Sequence, residues 1–197
     1  MRYPWYEYAL MLAFVLSGAA GCWLLIRKDW KRYSLLYLLS AATGVTLCLA
    51  FAAAELYVFP HRPLDNWFFL PLTAMITFIP FTVLLGVYFS PEGWAWKIPF
   101  YWAFVHLAVL AEVVLLSFTD MFRFAVGWDL WDSYTLWWIY FLFFEWLGGR
   151  LIRPETRRPL PVAQFRYGRW AWLILHAIVI STIFVFGVYT GKMIWGG

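Results

Sequence analysis

Residues 68–86 read FFLPLTAMITFIPFTVLLG, nineteen positions without a charged side chain, with Pro71 near one end and Pro80 near the middle. A bilayer core about 30 Å thick requires roughly 20 apolar residues in helical form, so this stretch predicts a transmembrane helix. Pro80 falls at mid-membrane depth. It has no amide proton and its ring crowds the carbonyl one turn back, so a kink is expected there and the freed carbonyl must find a donor within the protein. Such a kink either lines a cavity or serves helix packing.

The rest of the chain extends this reading. Of its 197 residues 64% are hydrophobic and 13% charged, against about 45–50% and 25% in soluble domains. We therefore expect an all-α, polytopic integral membrane protein, a single six-helix transmembrane domain over residues 1–197. The spans are expected at approximately 5–26, 33–59, 67–89, 98–118, 133–151 and 170–189, separated by short polar intervals. Each basic cluster falls in one of those intervals, and nothing resembles a nucleic-acid-binding face. LSGAAGC, ending at Cys22, lacks a good lipoprotein cleavage site, so the first segment is expected to be retained. Cys22 and Cys48 lie within apolar runs and form no metal or haem-attachment motif.

Lysine and arginine near span ends orient the bundle. Arg27, Lys28, Lys31, Arg32, Lys97, Arg150, Arg153, Arg157, Arg158, Arg166 and Arg169 fall on one side; Arg2, Arg62, Arg123 and Lys192 fall on the other. The first group is expected in the cytoplasm of a bacterial cell, with both termini outside and Arg-rich loops able to meet anionic lipid. Small residues in the first span (SGAAG) and the second (SAATGV, AFAAA) are expected to let these two helices pack closely.

Ionisable groups inside a bilayer are costly and are functional candidates by default. Glu112, in HLAVLAEVVLL, has no basic neighbour within a turn and falls in the outer half of its span. Glu55 comes near the outer end of the second span and is the candidate partner. Glu145, near the inner end of the fifth, is expected to pair with Arg150 or water. His106 and His176 reach similar depths and are a weak pair of axial ligands for a b-type haem; no other cofactor is expected. His106 and Glu112 are six residues apart, about 240° around a helix, and point to different faces.

Of fifteen tryptophans, Trp5, Trp67, Trp94, Trp96, Trp128, Trp131, Trp170 and Trp195 fall at expected interfaces, where amphipathic rings anchor a span. Trp137 and Trp138 lie deeper, and at least one of this adjacent pair should face the bundle. Asp129 and Asp132 stand at the start of the fifth span, where Asp132 or Ser133 would cap the helix.

The segment GWDLWDS at 127–133, followed by an aromatic span and GGRLIRP, resembles a GWNLWWS segment and basic turn in a family of small polytopic membrane proteins of spore-forming bacteria. IPFTVLLGVYFSPEGW and AEVVLL are similar to that family's third span and to the acidic residue of the next, and AELYVFPHRPLDNW is more weakly similar. Together these cover residues 50 to 153. Asp129 and Asp132 stand where the family has Asn and Trp. The resemblance implies a helical membrane fold and supports Glu112, Trp128 and Trp131 as positions matching the family; it implies no reaction.

The functional expectation is a small lipophilic or cationic ligand bound in an outward-facing polar and aromatic pocket. Glu112 would be its central acid, capable of proton transfer, Glu55 its partner, and Asp129, Asp132, Trp128, Trp131, Trp137 and Trp138 its rim and wall. Alternatives are a proton-coupled small-molecule transporter and a non-catalytic subunit or assembly factor docked on a membrane partner. No nucleophile elbow, phosphate loop or zinc-protease motif is present in the sequence.

Overall fold

The computed structural model describes residues 4–65, 70–125, 127–163 and 168–195; Arg2, Trp67 and Arg166 lie outside them. The fold is all-α. Among the described residues six long helices follow one another: α1 (Trp5–Ile26), α2 (Trp30–Ala53), α3 (Leu72–Phe89), α4 (Trp94–Phe118), α5 (Leu130–Leu151) and α6 (Arg169–Trp195). Five of them, α1 to α4 and α6, are long and apolar enough to cross a membrane. The protein is therefore membrane-embedded. α5 has 22 residues but carries Asp132, Glu145 and Arg150, and its polar groups take part in networks at both ends of the bundle.

The helices alternate in direction. At one end, β1 (Tyr57–Val58) and β2 (Arg123–Phe124) form a two-residue antiparallel bridge, with Tyr57 opposite Phe124 and Val58 opposite Arg123. This bridge end gathers the start of α1, the end of α2, the starts of α3 and α5 and the ends of α4 and α6. The opposite, basic end carries Arg27, Lys28, Lys31, Arg32, Lys97, Arg150, Arg153, Arg157, Arg158 and Arg169.

α3 is the packing centre. Its most extensive contacts are with α1 and α2, and it also touches α4 and α5. A Cβ on Gly18 of α1 would lie 2.7 Å from backbone atoms of Thr77 and Phe78, and one on Gly148 of α5 would lie 2.6 Å from Val87. These glycines let backbones approach to distances that a side chain forbids. Gly18 and Gly21 of α1 thus face α3, which takes the close approach expected of α1 with α2. Position, not composition, decides this: Gly18 and Gly21 lie on the face turned to Thr77, Phe78 and Phe81.

Pro80 is buried within α3. Its missing amide frees the carbonyl of Ile76, and Tyr37 of α2 donates its hydroxyl to that oxygen at 2.8 Å. The donor required by the sequence argument is thus found, and it ties α2 to α3.

α2 ends at Ala53, six residues before the expected end of the second span. Leu56 N–H donates to Phe51 O at 2.9 Å and Glu55 N–H to Ala52 O at 3.1 Å, while Glu55 has φ 56°. These are the two bonds and the left-handed residue of a Schellman termination. Residues 57–58 then leave the helix to pair with β2. α3 starts after Pro71, which provides no capping side chain. Buried Asp65 does that work instead, accepting the Thr73 amide at 3.1 Å and the Thr73 hydroxyl.

α6 packs on α4 and leaves Ile180, Ile183 and Phe186 more than 60% exposed. A helix apolar on its outer faces suits lipid. Cys22 and Cys48 are buried free thiols.

Candidate functional site

Among the described residues three clusters of ionisable groups stand out in the apolar bundle, two at the bridge end and one at the basic end. The first surrounds Glu112. Trp137 Nε1 of α5 donates to Glu112 Oε1 at 3.0 Å, while Oε2 is buried and has no hydrogen-bond partner among the described residues. The hydroxyl of Ser133, a residue 0% exposed, lies beside this carboxyl. Ser133 Oγ accepts from Trp128 Nε1 at 3.0 Å and stands 3.2 Å from the Tyr57 hydroxyl. The Tyr57 ring is enclosed by Phe51, Phe59, Phe122, Phe124 and Trp128, with centroids 5.2–6.5 Å away. Burial pushes the Tyr57 phenol above its ordinary pKa, and the nearby Glu112 charge acts in the same direction.

The second cluster joins α1 to the loops. Glu7 is 1% and His61 4% exposed. His61 Nδ1 pairs with Glu7 Oε2, and Glu7 Oε1 accepts the Asp120 amide at 2.8 Å. The His61 amide returns a bond to Asp120 O at 3.0 Å. His61 Nε2 stands 3.4 Å from the Tyr8 hydroxyl.

Beside both clusters is an open groove of about 690 Å³, within the size range of small-molecule sites. Its aromatic walls include Tyr6, Phe124, Trp128 and Tyr189, and its carboxylates are Glu7, Asp120 and Asp129. Arg123, also in the lining, bonds Asp120 at 2.5 Å. Trp128 is common to the groove and to the Ser133 cluster. A smaller groove of about 530 Å³ is lined by Tyr57, Phe59, Glu55 and Arg62.

The third cluster lies at the basic end. Glu145, 1% exposed, pairs with Lys97 and accepts Tyr101 Oη–H at 2.6 Å. It also accepts Arg157 Nη2 at 3.1 and 3.3 Å, while Arg157 Nε donates to Val87 O at 2.9 Å. The loop after α5 is thereby held against the bundle, helped by Arg158 N–H to Tyr88 O at 2.8 Å and Leu160 N–H to Phe89 O at 3.1 Å. The expected partner of Glu145, Arg150, lies instead over the Trp146 ring, 3.6 Å from its centroid.

The structure distributes the sequence candidates unevenly. Glu112, Trp137 and Trp128 belong to one connected cluster. Glu55 is exposed beyond the end of α2, on the smaller groove, so it does not accompany Glu112 in a span. Asp129 and Asp132 form a reciprocal capping box: Asp129 accepts the Trp131 and Asp132 amides at 2.7 and 3.2 Å, and Asp132 accepts the Asp129 amide at 3.0 Å. Asp129 is thus the N-cap, in place of Asp132 or Ser133. Trp131 is 76% exposed, and Trp138 packs beside the core. His106 Nδ1 lies 3.0 Å from the Trp102 carbonyl and His176 Nδ1 2.7 Å from that of Trp172, each one turn back on its own helix. Among the described residues no group of three or more His, Cys, Asp or Glu is arranged to hold a metal ion.

Glu7, His61 and Tyr57, Ser133 as anything beyond a cap, and Lys97 and Arg157 as the cations on Glu145 are not among the candidates that the sequence marks. Glu7 and His61 stand near span ends, where charge is unremarkable, and only their burial against each other singles them out. Comparison of the chain with protein-family models, curated proteins and solved structures finds no match. The fold and its polar clusters define a helical membrane protein with a polar and aromatic groove at one end.

Proposed function

We propose that this is a six-span protein of the bacterial cytoplasmic membrane that binds a small lipophilic cation in the groove at its bridge end. In this reading α5 is the sixth span, the basic end faces the cytoplasm, and the groove and both termini lie outside. The alternating helix directions and the concentration of arginine and lysine at one end support that orientation. The resemblance of GWDLWDS and AEVVLL to a family of spore-forming bacteria supports the bacterial assignment.

The observation that carries the ligand class is the groove lining: three carboxylates, one arginine already held by Asp120, and a wall of aromatic rings. Ring faces and fixed negative charge both attract cations, and a lipophilic cation would fill the apolar volume as well. Glu112 stands behind Trp128 as the acid that takes up or releases a proton when a ligand enters. A proton-coupled transporter would use the same acid and groove; ligand flux in proteoliposomes that is lost in Glu112→Gln distinguishes it from a binding protein.

Titration of the protein in nanodiscs with tetraphenylphosphonium tests the reading. Tryptophan fluorescence should change saturably, and Trp128→Ala and Asp120→Asn should each weaken binding about tenfold, the scale of a single important contact. Purely non-saturable partitioning, or wild-type affinity in both folded variants, sinks the proposal.

A further inference from the structure

The hydrogen-bonding capacities around Glu112 can be counted. Trp137 Nε1 donates to Oε1, and an indole nitrogen offers no lone pair, so Oε1 is an acceptor in either charge state. A proton on this carboxyl therefore sits on Oε2, the oxygen without a hydrogen-bond partner. Ser133 lies beside the carboxyl, and its hydroxyl has two lone pairs and one proton. One lone pair is committed to Trp128 Nε1. One lone pair and one proton remain to serve Tyr57 on one side and Glu112 on the other.

Two arrangements satisfy this count. With Glu112 ionised, Tyr57 donates to Ser133 and Ser133 turns its proton toward Oε2. With Glu112 protonated, Oε2 donates to Ser133 and Ser133 donates to Tyr57. The two differ by one proton on Glu112 and by the direction of every bond in the chain. Trp128 and Trp137 hold the ends in place and cannot relay, because an indole N–H only donates.

We propose that Tyr57 and Ser133 form a proton path from the smaller groove to Glu112. The path rests on the reading of Glu112 as a protonatable acid and adds its route. A proton from water in the groove arrives at Tyr57 Oη, the phenolic proton of Tyr57 passes to Ser133 Oγ, and the serine proton passes to Glu112 Oε2. Water loses one proton, the carboxylate becomes a neutral acid, and both hydroxyls end as they began, reoriented. The Glu112 carboxyl, whose Oε2 has no hydrogen-bond partner among the described residues, turns to meet Ser133 Oγ, which Trp128 and Tyr57 keep in place. Tyr57 suits the first position because it is half-buried and lines the groove, and burial holds its phenol above the ordinary pKa. Among the described residues, Tyr57 is faced by Glu112 of α4, Cys48 of α2, and Ser133 and Trp128. Glu112 is faced by Trp137 and Ser133 of α5.

Infrared difference spectroscopy after a pH jump, on the full chain in nanodiscs, tests the path. The carbonyl band of the Glu112 acid is the one lost in Glu112→Gln. Tyr57→Phe, which keeps the aromatic cage, and Ser133→Ala should each slow the appearance of that band by about a hundredfold, the low end of what a positioned proton-transfer group provides. The final amplitude should be unchanged, and Ser133→Thr, which keeps the hydroxyl, should restore the rate. A merely structural role would alter amplitude or unfolding temperature without selectively slowing the band. Wild-type rates in both Tyr57→Phe and Ser133→Ala overturn the path; absence of a Glu112 band in the wild type overturns both the path and the acid role. A normal band with no saturable phosphonium binding rejects the ligand reading and leaves the path standing.

Discussion

Glu55 holds a backbone conformation that favours glycine. Its φ of 56° ends α2 and turns the chain into β1, at a steric cost on the order of 1 kcal/mol for a residue with a Cβ. Its side chain is exposed, so Glu55→Gly should raise stability by about 0.5–1 kcal/mol, measured by thermal unfolding in micelles. A loss of stability would mean that the carboxylate makes a contact worth more than the strain. Tyr37 offers the opposite case. Its hydroxyl satisfies the Ile76 carbonyl freed by Pro80, so Tyr37→Phe should cost about 1–3 kcal/mol for the unsatisfied acceptor. The sequence showed that Pro80 would free a carbonyl; it did not show the donor, because Tyr37 is 39 residues away and nothing local marks its hydroxyl.

At the scale of the element, helix ends are the most local features and were the most legible. An acidic pair before an aromatic run predicted a cap, and the structure assigns it to Asp129 with Asp132 reciprocating. Asp129→Ala should therefore cost about 1 kcal/mol in the same unfolding measurement. Helix faces were less legible. The SGAAG stretch signals close approach, but several apolar helices present plausible partners, and α3 won because Gly18 meets its backbone at Thr77 and Phe78. Gly18→Val should separate α1 from α3 and cost about 1–3 kcal/mol, whereas the same change at Gly187, where a Cβ meets nothing within 4 Å, should leave helix packing unchanged. Equal effects at both positions would remove α3 from the packing centre. The end of α2 was misread for a related reason: LYVF is apolar enough to continue a span, but its backbone bonds are claimed by the bridge with β2.

For the whole molecule, the two ends carry different chemistry. At the basic end Glu145 is enclosed by Lys97, Arg157 and Tyr101. Glu145→Ala would leave two largely buried cations without their carboxylate and should cost about 3–5 kcal/mol. The loop after α5 should then become cleavable by added protease, and continued resistance would show that its backbone bonds hold it alone. At the bridge end, Glu7, His61, Asp120 and Glu112 come from segments up to 113 residues apart and meet beside the grooves. The sequence by itself determined the apolar helices, their rough limits, the segregation of basic residues and the presence of an acid, Glu112, within an apolar run, because length, apolarity and charge are properties of contiguous residues. Only the tertiary structure decided that Glu55 stands apart, that Glu145 takes Lys97 and Arg157, and that Tyr57 and Ser133 meet near Glu112. Those pairings depend on which helix faces are turned together, and in a bundle apolar on nearly every face that is set by the fit of particular glycines, prolines and buried hydrogen bonds.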